Sequence, residues 1–247
     1  MFRRLTIAWL AVLALQMPGT SARTQDALQK RALPPLNAAA CQQIAASAGS
    51  FAVDTTRRTT QYFTPLFRPG PDGGLRAEDR RNCLQMEGSC IVGRFLYTAD
   101  GRPSGTRFDL DQVKFVFGMG TGVSSFNTTN ALIPCRTVAA DVSQYKIGTV
   151  IYVPSFRDRL CPQNGQTVDG CFIVGDVGSA IRGRGRFDLF TGECSNYDGR
   201  THVCRDTANA AFDVPVRTQF HVVPRDAPLA QALRSEVDAF INRGWRP

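Results

Sequence analysis

Three aspartates stand out in the second half of the chain. Asp141 closes the run RTVAAD, Asp176 precedes a Val-Gly-Ser turn, and Asp188 lies inside GRFDLF. An aspartic acid that keeps its proton near neutral pH can act as a general acid, and burial or a neighbouring carboxylate is what raises its pKa enough to do so. Taken singly, each has a plainer use, because an aspartate before a glycine turn readily closes an Asx turn. The chemistry therefore depends on whether the fold brings them together. Glu87, between Cys83 and Cys90 in CLQMEGSC, is either a further carboxylate reaching the same place or an ordinary loop residue. Tyr62 and Phe63 can stack on a sugar ring, although neighbours on a strand face opposite ways and one of them belongs in the core. His221 alternates with apolar residues and reads as structural. GMGTGVSSF is too irregular for a nucleotide loop, with no Lys-Ser/Thr after it.

The elements that must position these residues are short and β-like. RTTQYFTPLF, CIVGRFLYT, TRFDLDQVKFVFG, CRTVAAD, GTVIYVPSF, GCFIVGD, GRFDLF and VRTQFHVVP read as strands, separated by glycine, proline and Asp-Gly turns. ADGRPSG predicts a hairpin with a longer loop. Many short strands with regular turn signals indicate a β-barrel or sandwich. NAAACQQIAASA predicts a short helix with Asn37 as cap. DAPLAQALRSEVDAFINRGW predicts a C-terminal helix with Leu229, Leu233, Val237 and Phe240 on one apolar face. These signals divide the chain into a leader and short helix over 23–50, a β core over 51–224 and the helix over 225–247.

The first 22 residues carry a basic start (MFRR), an apolar run (LTIAWLAVLAL) and small residues before the break, which is the pattern of a secretory signal peptide. The apolar run is short for a membrane span, and nothing later in the chain would keep the protein in a membrane after cleavage. All 8 cysteines (Cys41, Cys83, Cys90, Cys135, Cys161, Cys171, Cys194 and Cys204) lie beyond that segment, and their even number reads as disulfides in an oxidising compartment. Sequence alone does not fix the pairing; neighbours such as Cys161 with Cys171, and Cys194 with Cys204, are the simplest staples. There is no Cys-x-x-Cys pair and there are only 2 histidines, so no metal site is expected, and no cofactor. Net charge is +8. Almost all of the positive charge is arginine, scattered without a nucleic-acid motif, which suits an anionic envelope polymer better than nucleic acid. Asn127 begins an N-x-[ST] sequon, informative only in a eukaryote.

Read together, Asp141, Gly148-Thr149, Tyr152-Val153, the run from Asp176 through Gly178, Ser179 and Arg182 to Gly183, and Asp188-Leu-Phe resemble the three-Asp (3D) domain of membrane-bound lytic transglycosylases and their small secreted relatives. The clear match covers about Arg136 to Thr191, and TTQYFTP (Thr59 to Pro65) looks like the family's opening strand. Ser179 replaces the second glycine of the turn, Arg182 replaces a lysine, and the interval from Asp176 to Asp188 is one residue longer than the family form. The resemblance implies a mainly β fold, a double-psi β-barrel with a short N-terminal helix, a C-terminal helix and disulfide-stapled loops. It implies cleavage of the MurNAc-GlcNAc bond of peptidoglycan to a 1,6-anhydro product, with Asp176 as catalytic acid flanked by Asp141 and Asp188. Tyr62, Thr64, Gly178, Ser179 and Glu87 would then contact substrate, Gly178 by letting backbone approach the sugar. The expected partner is peptidoglycan or a related glycan, met by a monomer in the periplasm or outside the cell. Two other readings compete. One is a glycan-binding module on the same barrel that does not cut; the other is a disulfide-rich interaction protein whose inserted loops, 157–171 and the GECSNYDGRTHVC segment, cover the groove.

Overall fold

The computed structural model describes residues 34, 36–99, 103–111, 117–120, 131–206, 212 and 215–243. The signal segment over 1–22, most of the leader and the Asn127 sequon lie outside the described residues. Twelve strands are described: β1 (Ala52–Thr55), β2 (Arg58–Phe67), β3 (Ser89–Val92), β4 (Phe95–Thr98), β5 (Thr106–Asp109), β6 (Thr137–Ala140), β7 (Val150–Tyr152), β8 (Cys171–Asp176), β9 (Arg186–Cys194), β10 (Tyr197–Asp198), β11 (Val203–Cys204) and β12 (Gln219–Val223). Ten of them pair in the order β1-β12-β7-β8-β6-β9-β2-β3-β4-β5, and β10 with β11 forms a separate ribbon. The β2/β9, β2/β3 and β6/β8 pairs are parallel and the rest antiparallel. The ladder starts at β1 and ends at β5, and among the described residues no pairing joins those ends into a closed barrel. The expected hairpin is β4 with β5; CIVGRFLYT is itself split at Gly93 and Arg94 into β3 and β4.

The central strands are apolar on both faces, as strands covered on two sides must be. Val138, Ala140, Phe172, Val174, Phe187, Leu189, Phe190 and Phe220 form the main core. Two helices, α1 (Ala39–Ala46) and α2 (Pro228–Arg243), cover a second apolar cluster in which Ile44, Val150, Val223 and Leu233 are fully buried. The buried line of α2 is Ala230, Leu233, Val237 and Ile241, with Leu229 and Phe240 only partly covered. The apolar face is therefore turned slightly from the one expected, because α1 takes part of the cover. Asn37 does not cap α1. The helix start is served from afar: the Ala38 N–H donates to Asp169 at 3.0 Å and the Ala40 N–H to Glu236 at 2.9 Å.

All eight cysteines are bridged: Cys41–Cys171, Cys83–Cys90, Cys135–Cys161 and Cys194–Cys204. The Cys194–Cys204 staple is as expected, but Cys161 does not join Cys171. Cys171 opens β8 and lies under α1, whereas the 157–170 insertion folds back through a Leu160–Thr167 bridge and carries Cys161 to Cys135. Beside the Cys41–Cys171 bond, Arg136 makes a two-pronged ion pair with Asp169, at 2.7 and 2.8 Å, and donates to the Cys171 carbonyl at 2.6 Å. Both groups are out of water, so this clamp ties α1, β6 and β8 with charge-assisted bonds.

Candidate active site

The site begins with a register fault in β8. Ile173 pairs with Thr137 and Val174 with Val138, and then Asp176, not Gly175, pairs with Ala139. Gly175 is the extra residue of a β-bulge. Successive side chains alternate faces, so without that extra residue Asp176 would face the same way as Val138 and Ala140, into the core. On the other side of β6, Ala139 pairs with Asp188 of β9, and Asp188 pairs with Thr60 of β2. Asp176, Ala139, Asp188 and Thr60 thus form one row across four strands. In that row one residue, Ala139, stands between the two acids.

Asp176, Ala139 and Asp188 of that row line a groove of ≈ 800 Å³, which also takes in Gln61, Tyr62, Met86, Glu87, Gly178, Ser179, Arg182 and His202. Asp176 is 6% exposed and Asp141 8%. Asp176 accepts a hydrogen bond from the Val177 N–H at 2.8 Å. Gly120 packs over it: a Cβ there would lie 2.6 Å from the Gly175 carbonyl and 3.2 Å from the Asp176 Oδ1. Asp188 accepts from the Thr60 hydroxyl at 2.6 Å. Burial pushes its carboxyl up, while the Thr60 hydroxyl and the charges of Arg186 and Arg58 pull the other way. Tyr62 packs its ring 5.2 Å from Phe190, and its buried hydroxyl lies within reach of the charges of Asp176 and Asp188. Burial first, then the charges of Asp176 and Asp188, push its phenol well above the ordinary value, so it stays protonated.

Asp141 has a different place. It lies two residues beyond Ala139, just past the end of β6, and it does not line the groove. Its Oδ2 accepts the Gly183 N–H at 2.7 Å and its Oδ1 the Ser143 hydroxyl and N–H at 2.7 and 3.0 Å. These bonds, that from Gly183 foremost, hold its carboxyl below the usual carboxylate range. Asp141 therefore anchors the turn that follows Asp176. The far side of that turn is tied by the Gly185 N–H to the Tyr145 hydroxyl at 3.0 Å and by Arg184 to Asp54, also at 3.0 Å. Gly183 and Gly185 have φ of 84° and 68°, which explains the alternating glycines of RGRG.

Of the other expected residues, Tyr62, Gly178, Ser179 and Glu87 line the groove, and Thr64 does not; Thr64 is fully buried against Gly118. Gly178 answers a packing need: a Cβ there would lie 2.7 Å from Ile181. Phe63 points away, edge-on to Tyr197 at 5.7 Å. The inserted loops do not bury the acids. No residue of the 157–170 insertion is in the groove lining, and the Cys194–Cys204 loop contributes His202 to its wall. Two clusters of metal-ligand residue types exist among the described residues, Cys41-Asp169-Cys171 and Cys194-Cys204-Asp206, but both are built on bridged cysteines with no thiolate to give. Ala139, Gly120 and His202 were not legible as site residues. Only the GMG alternation hinted at a close backbone approach.

This arrangement lies inside a recognisable stretch. Residues 136–207 match the family model of the 3D domain. The matched stretch runs from β6 through β11 and holds Asp141, Asp176 and Asp188, while Tyr62 and Glu87 lie outside it. No curated protein sequence matches the chain. Among solved structures, the chain is similar to E. coli MltA with bound chitohexaose, at 11% identity and a TM-score of 0.42, over 72% of this chain and 78% of that one. A second MltA structure from Escherichia coli, described as a unique lytic transglycosylase fold, aligns at 14% identity and a TM-score of 0.40, over 76% and 82%. The lytic transglycosylase LtgG of Burkholderia pseudomallei aligns at 15% identity and 0.34, over 69% and 71%.

Proposed function

We propose that the protein is an exported, glycan-cleaving enzyme of the lytic transglycosylase type, acting on the MurNAc-GlcNAc bond of peptidoglycan. The single observation that carries the reading is the row Asp176–Ala139–Asp188 lining a groove within the stretch that matches the 3D domain. Asp176 gives its proton to the leaving glycosidic oxygen, and its conjugate base takes the proton of the sugar's own C6 hydroxyl as that oxygen closes on C1. The product is a 1,6-anhydro sugar, and no external water is consumed. Asp188 holds negative charge near the developing cation at C1, and Tyr62 remains a neutral hydrogen-bonding group beside both acids. Asp141 acts through the turn it anchors. Ser179, exposed at the rim, is placed to meet sugar hydroxyls.

The parallel β6/β8 and β2/β9 pairs support assigning the core to the double-psi class. Four disulfides support an oxidising destination, consistent with removal of residues 1–22 and release into the periplasm or beyond. Among the described residues no helix is long and apolar enough to cross a membrane. We assign residues 51–224 to the β core and 225–247 to the closing helix, in a monomer.

Purified mature protein incubated with peptidoglycan sacculi, with products read by mass spectrometry, tests the reading. Anhydro-muropeptides are expected from the wild type, with a loss of at least a hundredfold in Asp176→Asn. Absence of anhydro products from the folded wild type would rule the reading out. Retention of sacculi without cutting, unchanged in Asp176→Asn, would move the assignment to a binding module.

A further inference from the structure

Two disulfide-closed loops meet at the groove and place a second acid-base group there. The Cys83–Cys90 bridge closes a tight helical turn (Arg81–Met86) that ends at Glu87. The Cys194–Cys204 bridge closes the ribbon that carries Tyr197 and His202. The Tyr197 hydroxyl donates to Glu87 Oε1 at 3.1 Å and lies 3.0 Å from His202 Nδ1. A phenol has one proton; when it goes to an ionised Glu87, the phenol oxygen is left to accept from His202 in the tautomer protonated on Nδ1. Tyr197 is held in turn by edge contacts with Phe63 and Phe67. The carboxyl of Glu87 is thus oriented by a chain of hydrogen bonds on loops whose backbone is covalently pinned.

We propose that Glu87 is a second catalytic carboxyl of this groove, a general base that activates water, so that the site hydrolyses glycan as well as closing the anhydro ring. In this step Asp176 gives its proton to the leaving oxygen as the C1–O bond breaks. Water forms the new bond to C1 and loses a proton to Glu87, and solvent later returns that proton to Asp176. The product carries a free reducing end. Glycoside hydrolysis calls for one carboxyl as acid and another as base, and the groove holds both. The titratable and charged groups around Glu87 are Tyr197, which hydrogen-bonds to it, Asp188 of β9, whose charge reaches it, and, lining the same groove, His202 of the ribbon, Asp176 of β8 and Arg182 of the following turn. Burial pushes Glu87 up to about 7, with Asp188 adding to the rise and the Tyr197 hydrogen bond opposing it. A base in that range is part ionised at neutral pH and strong enough to take a proton from water as it attacks. The inference rests on the transglycosylase reading for its acid and its glycan, and adds water as a competing nucleophile.

The test is the ratio of reducing-end to anhydro products from sacculi, followed from pH 5 to 9. The wild type is expected to give both, with the reducing share rising as pH climbs through about 7. In Glu87→Gln the ratio should fall at least tenfold at pH 8. In Tyr197→Phe, which keeps the ring packing, loss of the opposing hydrogen bond should move the rise to higher pH. His202→Gln separates any contribution of the imidazole. Anhydro products alone from the wild type, or an unchanged ratio in Glu87→Gln, would overturn the proposal and leave the transglycosylase reading standing. Reducing ends alone, lost in Glu87→Gln, would keep Glu87 as a base but overturn the shared use of the groove together with the transglycosylase reading. No product of either kind would overturn both.

Discussion

Ala139 carries one methyl group between two acid-bearing strands, and the site depends on its smallness. A larger side chain there would rise between Asp176 and Asp188 and fill the groove floor. Ala139→Leu is expected to cost about 1–3 kcal/mol through overpacking, and to lower glycan release well over tenfold while circular dichroism stays native. Glu87 makes a second prediction at this scale. Its carboxyl titrates near 7 in the folded protein and lower in the unfolded chain. The folded form holds the extra proton, so stability falls as pH rises from about 4.5 towards 7 and the cost is complete above that, on the order of 3 kcal/mol. Glu87→Gln should raise the melting temperature at pH 8 and have little effect at pH 4; equal effects at both would contradict this account.

At the scale of elements, the bulge at Gly175 and the anchored turn do the positioning. The strand GCFIVGD was legible from its composition, and β8 runs over Cys171–Asp176 as its residues suggest. Its bulge was not legible, because register is set by the partner strand and a period-two pattern looks the same on either side of a one-residue slip. Deleting Gly175 should realign the ladder and turn Asp176 inward; release falls to background while the protein stays folded, and retained activity would show that the bulge is dispensable. Asp141 works at this scale too. Asp141→Asn weakens the bond from the Gly183 N–H, and a loss of at least tenfold in release with unchanged secondary structure is the expected result. The sequence marked Asp141 as a site residue, but it did not distinguish a proton donor from a turn anchor, since both need an aspartate at a strand end.

Over the whole molecule, the α1 flank is held by the Arg136–Asp169 clamp and the Cys41–Cys171 bond, which spans 130 residues of sequence. Asp169→Ala would leave the Arg136 guanidinium buried without its partner, at a cost of about 3–5 kcal/mol. In a chain of this size that corresponds to a fall in melting temperature on the order of 10 °C. A shift within a degree or two of wild type would show that the clamp is not needed for stability. The same flank explains why the Cys171 partner was misjudged. Nearness in sequence favoured Cys161, but α1 returns over β8 and brings Cys41 instead.

By itself the sequence determined most of the strands, the closing helix, the fully paired cysteines and the three aspartates, because each is written in local composition, turn chemistry or a short motif. Only the tertiary structure decided which aspartate meets the groove, which cysteines join and what environment surrounds Glu87. A side chain's facing and its proton affinity depend on strand register and on charges brought from elsewhere in the chain, and neither is carried by its own neighbourhood in sequence.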